Sequence, residues 1–368
     1  MKKPQVFYLV LLLALMVCSC SIEVDQTNAT ATPAPENIAI PSTSVISATH
    51  IPVTWGHLNL GGKLVYLSSD TEGDQLTSRI QILDLATGEM ATLFKPSQAW
   101  IYYATVSPDA KMLAISYAPP AESNSSWGRS LYIMPLDTSS GPQPLLPQPS
   151  PDDHYTQAEW SPDGEHIYSV HYNNQRPNGG QLDPIYDIVR IKYPDGQTEQ
   201  VADHAFWPRL SSDSSKLVYI FVDPASGRNE LVVANADGSN SRRVILSGAQ
   251  ALEVIDAPIF SPDGQSILFS APEPAQAYQP NFFERVMGIQ VAEAHNVPSD
   301  WWSVPLTGGT PTQLTNLQTV NLFASISPDQ RHIASLSGEG IFVMDLDGSN
   351  LTQVVSDPGV HGTVGWIP

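Results

Sequence analysis

Trp160-Ser161-Pro162-Asp163-Gly164 decides the fold, because variants of this stretch recur along the chain and each one precedes a short apolar run. The other copies are Val106-Ser107-Pro108-Asp109, Leu210-Ser211-Ser212-Asp213, Phe260-Ser261-Pro262-Asp263-Gly264 and Ile326-Ser327-Pro328-Asp329. Successive aspartates of the five copies are 54, 50, 50 and 66 residues apart. A repeat of this length matches one four-stranded blade of a β-propeller, so the sequence predicts an all-β ring of blades.

The apolar runs after the repeats alternate in polarity, as half-buried strands do. Five of these runs follow a repeat directly, and a sixth, Lys63 to Leu67, has no repeat before it. A third strand follows in each unit and leads through a Gly or Asp-Gly turn, such as Asp195-Gly196, into a fourth strand. Six second strands therefore predict a six-bladed β-propeller with four antiparallel strands in each blade.

The innermost strand that the first blade lacks is found at the end of the chain. Thr363 to Pro368 aligns with Ala158 to Pro162, the residues that lead into the third blade. We therefore expect the C-terminal strand to join the first blade and close the ring, which leaves no open sheet edge at the seam. In the alternative, Ile51 to Trp55 supplies this strand and the two ends do not interlock.

The repeated W/F-S-P-D-G and the two D-G-S-N turns, Asp237 to Asn240 and Asp347 to Asn350, resemble those of TolB-type WD-like propellers. They are also similar to the propeller part of prolyl oligopeptidase and dipeptidyl peptidase enzymes. The resemblance covers residues 55 to 368 and implies the fold, but propellers host many unrelated activities. The sequence has no G-x-S-x-G motif, so we do not expect peptidase activity.

The N-terminus is typical of a secretory signal, because Lys2 and Lys3 precede an apolar run, Val6 to Val17, that is short for a membrane span. The run ends in Val17-Cys18-Ser19-Cys20, which resembles a bacterial lipobox. The resemblance implies cleavage before Cys20 and diacylation of its sulfur. Residues 1–19 are thus predicted to be a lipoprotein signal peptide, and an ordinary secretory signal is the alternative. We expect an extracytoplasmic protein, lipid-anchored to the bacterial cell membrane or envelope.

The cysteine count fits lipidation of Cys20. Cys18 and Cys20 are the two cysteines of the sequence, so cleavage leaves one thiol and no intrachain disulfide. Residues 20–50 are rich in Thr, Ala, Pro, Asn and Ser, and such a segment cannot bury enough apolar surface to offset its ordering entropy. We predict a flexible tether over residues 20–50 and the propeller over residues 51–368.

The charge of the chain excludes one class of partner. The formal net charge is −20, whereas nucleic-acid binding requires clustered cations that release phosphate counterions. An acidic surface can attract cations or basic partners, or it can serve solubility alone. We therefore expect the membrane, through the N-terminal lipid, and an envelope protein, peptide or glycan as partners, and no nucleic acid.

The longest loop lies in the fifth blade and spans residues 271 to 301. With alternating strand direction, it belongs to the rim opposite the Ser-Pro-Asp turns, where loops on a rigid scaffold commonly bind ligands. Asn281 to Glu284 is typical of a capping box that opens a helix. The loop is either a lid over a ligand pocket or a helix that plugs the central channel. Its candidate binding residues are Phe282, Phe283, Glu293, His295, Asp300 and Trp301.

Catalytic and metal-binding patterns are weaker. His171, His204, His295 and His361 do not have ligand spacing on one element. Asp345 to Asn350 resembles the start of a calcium loop, but Val354 stands where such a loop needs glutamate, so we predict a hairpin turn. The repeated aspartates are expected to accept backbone N–H groups within their own turns. No catalytic residue, metal or cofactor is predicted.

These observations predict a non-enzymatic binding or interaction scaffold. A polysaccharide lyase or hydrolase acting in a pocket at the loop-bearing rim is the alternative. The two differ in whether a converged set of titratable groups with a positioned base is present.

Overall fold

The structure is a computed structural model. It describes residues 46–72, 75–96, 99–118, 128–147, 150, 152–175, 183–248, 252, 254–273 and 297–368. Within these ranges almost all regular structure is β-strand, and the single helical segment is a short 3-10 turn, Gly56–Leu58. The six sheets are all antiparallel.

The first three blades are formed mainly by the N-terminal half of the chain. Their strands are β1 (Ile46–His50), β2 (Lys63–Glu72), β3 (Gln75–Asp84), β4 (Glu89–Phe94), β5 (Ile101–Val106), β6 (Met112–Tyr117), β7 (Ser130–Pro135), β8 (Gln143–Pro144), β9 (Asp153–Trp160), β10 (His166–Gln175), β11 (Asp183–Lys192) and β12 (Thr198–Ala202). Blade one contains β1 to β4, blade two β5 to β8, and blade three β9 to β12.

The remaining strands form blades four to six and close the ring. They are β13 (Ala205–Leu210), β14 (Lys216–Val222), β15 (Asn229–Asn235), β16 (Arg242–Arg243), β17 (Asp256–Phe260), β18 (Ser266–Ala271), β19 (Asp300–Pro305), β20 (Thr312–Gln313), β21 (Phe323–Ile326), β22 (His332–Ser337), β23 (Gly340–Asp345), β24 (Thr352–Val355) and β25 (Val360–Ile367). Blades four, five and six each take four of these in order, and β25 returns to blade one.

The predicted closure is confirmed. β25 pairs with β2 as the innermost strand of blade one, with Trp366 opposite Leu64 and Gly365 opposite Val65. The alternative that Ile51 to Trp55 supplies this strand is wrong, because these residues form no strand. Instead, Trp55 is buried and its indole nitrogen donates to the Leu85 carbonyl at 2.8 Å. The six-bladed ring is thus fastened by the C-terminal strand.

Blade one has a fifth strand that the sequence did not predict. β1 pairs with the outer strand β4, so the sheet order is β1-β4-β3-β2-β25. Residues 46 to 50 were expected to belong to the flexible tether, but backbone pairing continues five residues before the predicted domain boundary. The first blade is therefore covered at its outer edge by the chain that enters the propeller.

The core lies between neighbouring blades. The inner strands contact one another in the ring order β25, β5, β9, β13, β17, β21 and back to β25. Side chains that alternate along each strand pack against the adjacent blade, as the buried cluster of Tyr168, Val170, Leu217 and Tyr219 does between blades three and four. Burial of such aromatic and aliphatic surface contributes roughly 25 cal/mol per Å². The described residues include no helix of the length and apolarity needed to cross a membrane.

Candidate functional site

The two ends of the ring differ in what they carry. The turns between first and second strands, which hold the Ser-Pro-Asp repeats, share one end with the turns between third and fourth strands, and we call this end the turn rim. The connections between second and third strands and between blades lie at the other end, the loop rim. Much of the loop rim, including residues 119–127, 176–182 and 274–296, lies outside the described residues.

Each repeat forms the same hydrogen-bonded turn. In all five, the Ser Oγ donates to the Asp Oδ1 at 2.6 Å and accepts the backbone N–H of the residue five positions later at 2.9 Å. The Asp Oδ1 also accepts the backbone N–H of the residue two positions later. In blade five, for example, the Gln265 N–H donates to Asp263 Oδ1. The repeated aspartate is therefore a turn-forming residue, as the sequence predicted.

The carboxylates of these turns stay ionised because the turns solvate them. The Ser211 hydroxyl and the N–H and hydroxyl groups of Ser215 lower the pKa of Asp213 to about 2. Partial burial of Asp329 acts to raise its pKa, but hydrogen bonds from Ser327 and Arg331 outweigh it and lower the pKa to about 2. The same kind of bonding lowers the pKa of Asp109, Asp163 and Asp263. These five carboxylates therefore remain ionised well below neutral pH.

Four of the inner strands have a β-bulge with a residue of positive φ. The ladder register shifts near Gly362, Gln157, Trp207 and Ala257, and each of these residues has a positive φ. A bulge turns a side chain away from the regular alternation of the strand. The consequence is that Gln157 and Trp207 contribute to the interior of the channel.

Side chains from blades two, four and six, which are not direct neighbours in the ring, meet inside the channel. The Trp207 ring lies 6.0 Å from the Tyr103 ring of blade two and 5.8 Å from the Phe323 ring of blade six. Gln157 accepts the Trp207 backbone N–H at 2.7 Å. Burial raises the pKa of Tyr103 to about 12, so the phenol is neutral there. The cavity beside Gln157, Trp207 and Phe323 has a volume of about 10 Å³, enough for about one water.

An ion pair lies next to these aromatic side chains, on the side of the turn rim. Arg209 in blade four binds Glu159 in blade three at 2.7 Å and donates to the Ala324 carbonyl in blade six at 2.8 Å. Its guanidinium carbon is 4.1 Å from the Phe323 ring centre. Because these partners come from three blades, the pair fixes the inner strands relative to one another.

A funnel opens from the ion pair toward the turn rim. It has a volume of about 480 Å³, within the range of roughly 300–1,000 Å³ of ordinary binding pockets. Its lining includes Pro108, Pro162, Pro262 and Pro328 of the repeats, together with Glu159 and Arg209. Ser212 stands in the fourth repeat where the others have proline. The funnel is the candidate binding site of the described residues.

Of the predicted binding residues, the two that the structure describes, Asp300 and Trp301, do not line this funnel. Phe282, Phe283, Glu293 and His295 lie outside the described residues, as does Cys20. Asp300 and Trp301 are described, and both are buried at the start of β19. Trp301 is 0% exposed and its indole nitrogen donates to Ser335 Oγ at 2.7 Å, which ties blade five to blade six.

Asp300 has a partly satisfied carboxylate. Its Oδ1 accepts the Thr315 hydroxyl at 3.0 Å and the backbone N–H groups of Leu317 and Gln318. Its Oδ2 is buried and has no hydrogen-bond partner among the described residues. Through these contacts Asp300 holds the segment that follows β20, so its carboxylate organises a loop.

Histidines of the loop rim form pairwise contacts. His171 Nε2 lies 2.8 Å from Asp153 Oδ1, and the His171 ring stacks on Tyr155 at 4.9 Å. Burial, together with the charge of Arg129, lowers the pKa of His154, whose Nδ1 accepts the Arg129 backbone N–H. Among the described residues, no three His, Cys, Asp or Glu side chains are grouped as metal ligands would be.

Sequence reasoning missed the residues at the base of the funnel, although a signal was present. Two positions before each repeated serine stand Thr105, Glu159, Arg209, Ile259 and Ser325. Glu159 and Arg209 are the charged members of this column, they have opposite signs, and they lie fifty residues apart in consecutive repeats. An alignment of the repeats by column therefore predicts an ion pair near the axis.

Comparison with known proteins identifies the architecture. No protein-family model matches the sequence, and no curated protein has significant sequence similarity to it. TolB from Acinetobacter baumannii superposes with a TM-score of 0.57 at 17% identity, over 83% of this chain and 67% of that chain. The chain shares the TolB propeller fold.

Two further structures agree with this assignment. A protein described as TolB from Agrobacterium tumefaciens gives a TM-score of 0.54 at 16% identity, over 83% of this chain and 99% of that one. A chain of the nidogen–laminin complex gives 0.55 at 12% identity, over 83% and 98%. At these identities the likeness to TolB concerns the fold, so a function has to be argued from the site.

Proposed function

We propose that this TolB-like propeller is a non-enzymatic binding scaffold whose turn-rim funnel receives an envelope protein, peptide or glycan. The observation that carries the proposal is the funnel itself, about 480 Å³ in volume and walled by prolines of the repeats. Proline fixes φ and the turns are closed by hydrogen bonds from Ser and Asp side chains, so the wall is rigid before a partner binds. A rigid concave surface suits recognition with little loss of conformational entropy.

The base of the funnel favours binding over chemistry. Arg209 contacts Glu159, the Ala324 carbonyl and the Phe323 ring, so Nη1 and Nη2 already have partners inside the protein. A general acid or base needs a group that exchanges a proton with a bound substrate. The ion pair instead supplies a fixed floor against which a partner segment can pack.

Lipid anchoring through Cys20 and an extracytoplasmic location complete the proposal. The sequence Val17-Cys18-Ser19-Cys20 and the Thr, Ala and Pro-rich residues that follow support it. A Cys20→Ser variant is expected to leave the membrane fraction of cells, whereas Cys18→Ser is expected to remain there. Retention of Cys20→Ser in that fraction would contradict the anchor.

Site-specific photo-crosslinking in cells tests the binding role. A photoreactive amino acid at Ser212 or Gln330, on the funnel, is expected to capture a discrete partner. The same group at Ser239, on an outer turn of the same rim, serves as the matched control. Equal capture at Ser239, or capture at none of these positions, would contradict a partner at the funnel. Incubation of the purified protein with polysaccharides tests the lyase or hydrolase alternative, for which release of oligosaccharides is the positive result.

A further inference from the structure

The repeat residues Pro108, Pro162, Ser212, Pro262 and Pro328 line the funnel, and the aspartates that follow them differ from blade to blade in their ion pairs. The repeated aspartates of blades two and six are paired with cations, because Asp109 binds Lys111 at 3.3 Å and Asp329 binds Arg331 at 2.8 Å. Asp163, Asp213 and Asp263 make no ion pair among the described residues. We call these three side chains of blades three to five the acidic crescent.

The acidic crescent is built to present charge outward. Each of its aspartates uses Oδ1 for the serine hydroxyl and the backbone N–H groups of its own turn. Oδ2 of each has no hydrogen-bond partner among the described residues, and all three residues are exposed. The carboxylates are therefore held in place by one oxygen while the other faces solvent.

The funnel lining next to the crescent includes apolar side chains as well as serines. Pro162 and Pro262 stand directly before two of the aspartates, and Leu210, Ile259 and Ile326 contribute to the lining. A long cationic side chain combines an apolar stem with a charged end, so its stem suits the proline wall while its end reaches the crescent. A glutamate or a phosphate group in the same position would meet like charge.

We propose that the segment received by the funnel is a basic, extended peptide stretch that places Lys or Arg side chains against the acidic crescent. This deepens the proposed function and rests on it. The net charge of −20 adds long-range attraction for such a segment. Attraction between exposed charges is screened over about 8 Å at physiological ionic strength, so binding weakens as salt rises.

The test uses the purified propeller and a fluorescent nine-residue peptide made of three Gly-Ser-Lys units. The matched peptide has glutamate at the three lysine positions. Fluorescence anisotropy at low salt is expected to show binding of the lysine peptide and none of the glutamate peptide. Equal binding of both peptides, or binding of neither, would overturn the proposal.

Two triple variants locate the binding. The first is Asp163→Asn with Asp213→Asn and Asp263→Asn, which removes the charge of the crescent and keeps an Oδ1 acceptor for the turns. The second, the matched control, is Asp137→Asn with Asp237→Asn and Asp347→Asn. These outer aspartates make the same kind of bonds to a serine two residues later and lose the same charge.

We expect the crescent variant to weaken binding of the lysine peptide about ten-fold, since exposed charge pairs contribute roughly 0.2–1 kcal/mol each, and the control variant less than about two-fold. Equal weakening in both variants would show attraction to bulk charge and overturn the proposal. Thermal unfolding of both variants checks that the turns remain intact. If photo-crosslinking at Ser212 captures a cellular partner but the lysine peptide does not bind, the basic segment is wrong and the binding scaffold stands. If the lysine peptide binds at the crescent but photo-crosslinking captures no cellular partner, the preference for a basic segment stands and the proposed partner at the funnel is contradicted.

Discussion

At the scale of single residues, the bulges of the inner strands impose an unusual backbone requirement. Gln157, Trp207 and Ala257 adopt φ angles of 51°, 58° and 44°, a region that costs an L-residue roughly 1–2 kcal/mol. Gln157 and Trp207 are bonded to each other and fill the channel, so packing offsets the strain there. Gly362 occupies the corresponding bulge of β25, where neighbouring atoms leave no space for a Cβ atom.

Gly362→Ala is expected to destabilise the fold strongly. An added Cβ would lie 2.4 Å from the Tyr102 carbonyl oxygen and 2.8 Å from Leu67 Cδ1, so the closing strand must shift. Gly264→Ala is the matched control, because Gly264 has nearly the same φ, 65° against 68°, and nothing within 4 Å of its Cβ position. We expect a loss of about 1 kcal/mol for the control and more than about 3 kcal/mol for Gly362→Ala in urea unfolding. Equal losses would contradict the steric account.

Trp301 provides a second prediction at this scale. Trp301→Phe removes the indole N–H that donates to Ser335 Oγ, and both side chains are fully buried. We expect a loss of about 2 kcal/mol in the free energy of unfolding, from the hydrogen bond and the smaller ring. In a double-mutant cycle with Ser335→Ala, the coupling should be about 1 kcal/mol. A coupling near zero would mean that the bond adds nothing to the junction of blades five and six.

At the scale of elements, the repeated turn explains why so much of the fold could be predicted. Ser161, Asp163 and the backbone around them form the turn without help from distant residues, so the same letters give the same structure five times. The strands that follow were predicted for the same reason. β1 could not be predicted, because residues 46 to 50 become a strand only through pairing with the edge of β4.

Acid should remove the contribution of the Asp213 carboxylate to the free energy of unfolding, and the variant Asp213→Asn measures this contribution. The pKa of Asp213 is about 2 in the fold, below the ordinary value of 3.8, because Ser211 and Ser215 donate to the carboxylate. The lowered pKa stabilises the fold above about pH 4, and this contribution is lost as the pH falls toward 2. We expect Asp213→Asn to be less stable than wild type at pH 6 and the difference to shrink between pH 4 and pH 2. A difference in urea unfolding that stays constant with pH would contradict this.

At the scale of the whole molecule, the blade count and the closure followed from the repeats, but the site did not. The sequence directed attention to the long loop of residues 271 to 301, whereas the funnel lies at the turn rim. Its volume depends on how far the inner strands stand apart, and that distance is set by contacts such as that of Trp207 in blade four with Phe323 in blade six. Partners about 116 residues apart in sequence leave no local pattern to read.

β25 and β2 are neighbours in one sheet but lie at opposite ends of the propeller sequence, so we expect this seam to open more readily than the other blades. Trp366 at the seam and Trp160 in blade three occupy equivalent positions. Each is the last aromatic residue of an inner strand and lies opposite the second residue of the next strand, β2 for Trp366 and β10 for Trp160. Their exposed fractions are 8% and 4%. Replacing either tryptophan with Ala should cost about 3–5 kcal/mol in the free energy of unfolding.

The two variants should differ in local opening. Blade three is continuous in sequence through β9 and β10, so in Trp160→Ala this blade should open only when the whole propeller unfolds. Trp366→Ala should in addition free β25 from β2 locally, because the pairing of these two strands depends on non-covalent contacts, including the indole hydrogen bond to the Gly61 carbonyl at 3.0 Å. Hydrogen exchange distinguishes the two: under native conditions the amides of β25 and β2 should exchange faster than those of the other blades in Trp366→Ala alone. Uniform acceleration in both variants would mean that the ring opens as one unit and that the seam has no special weakness.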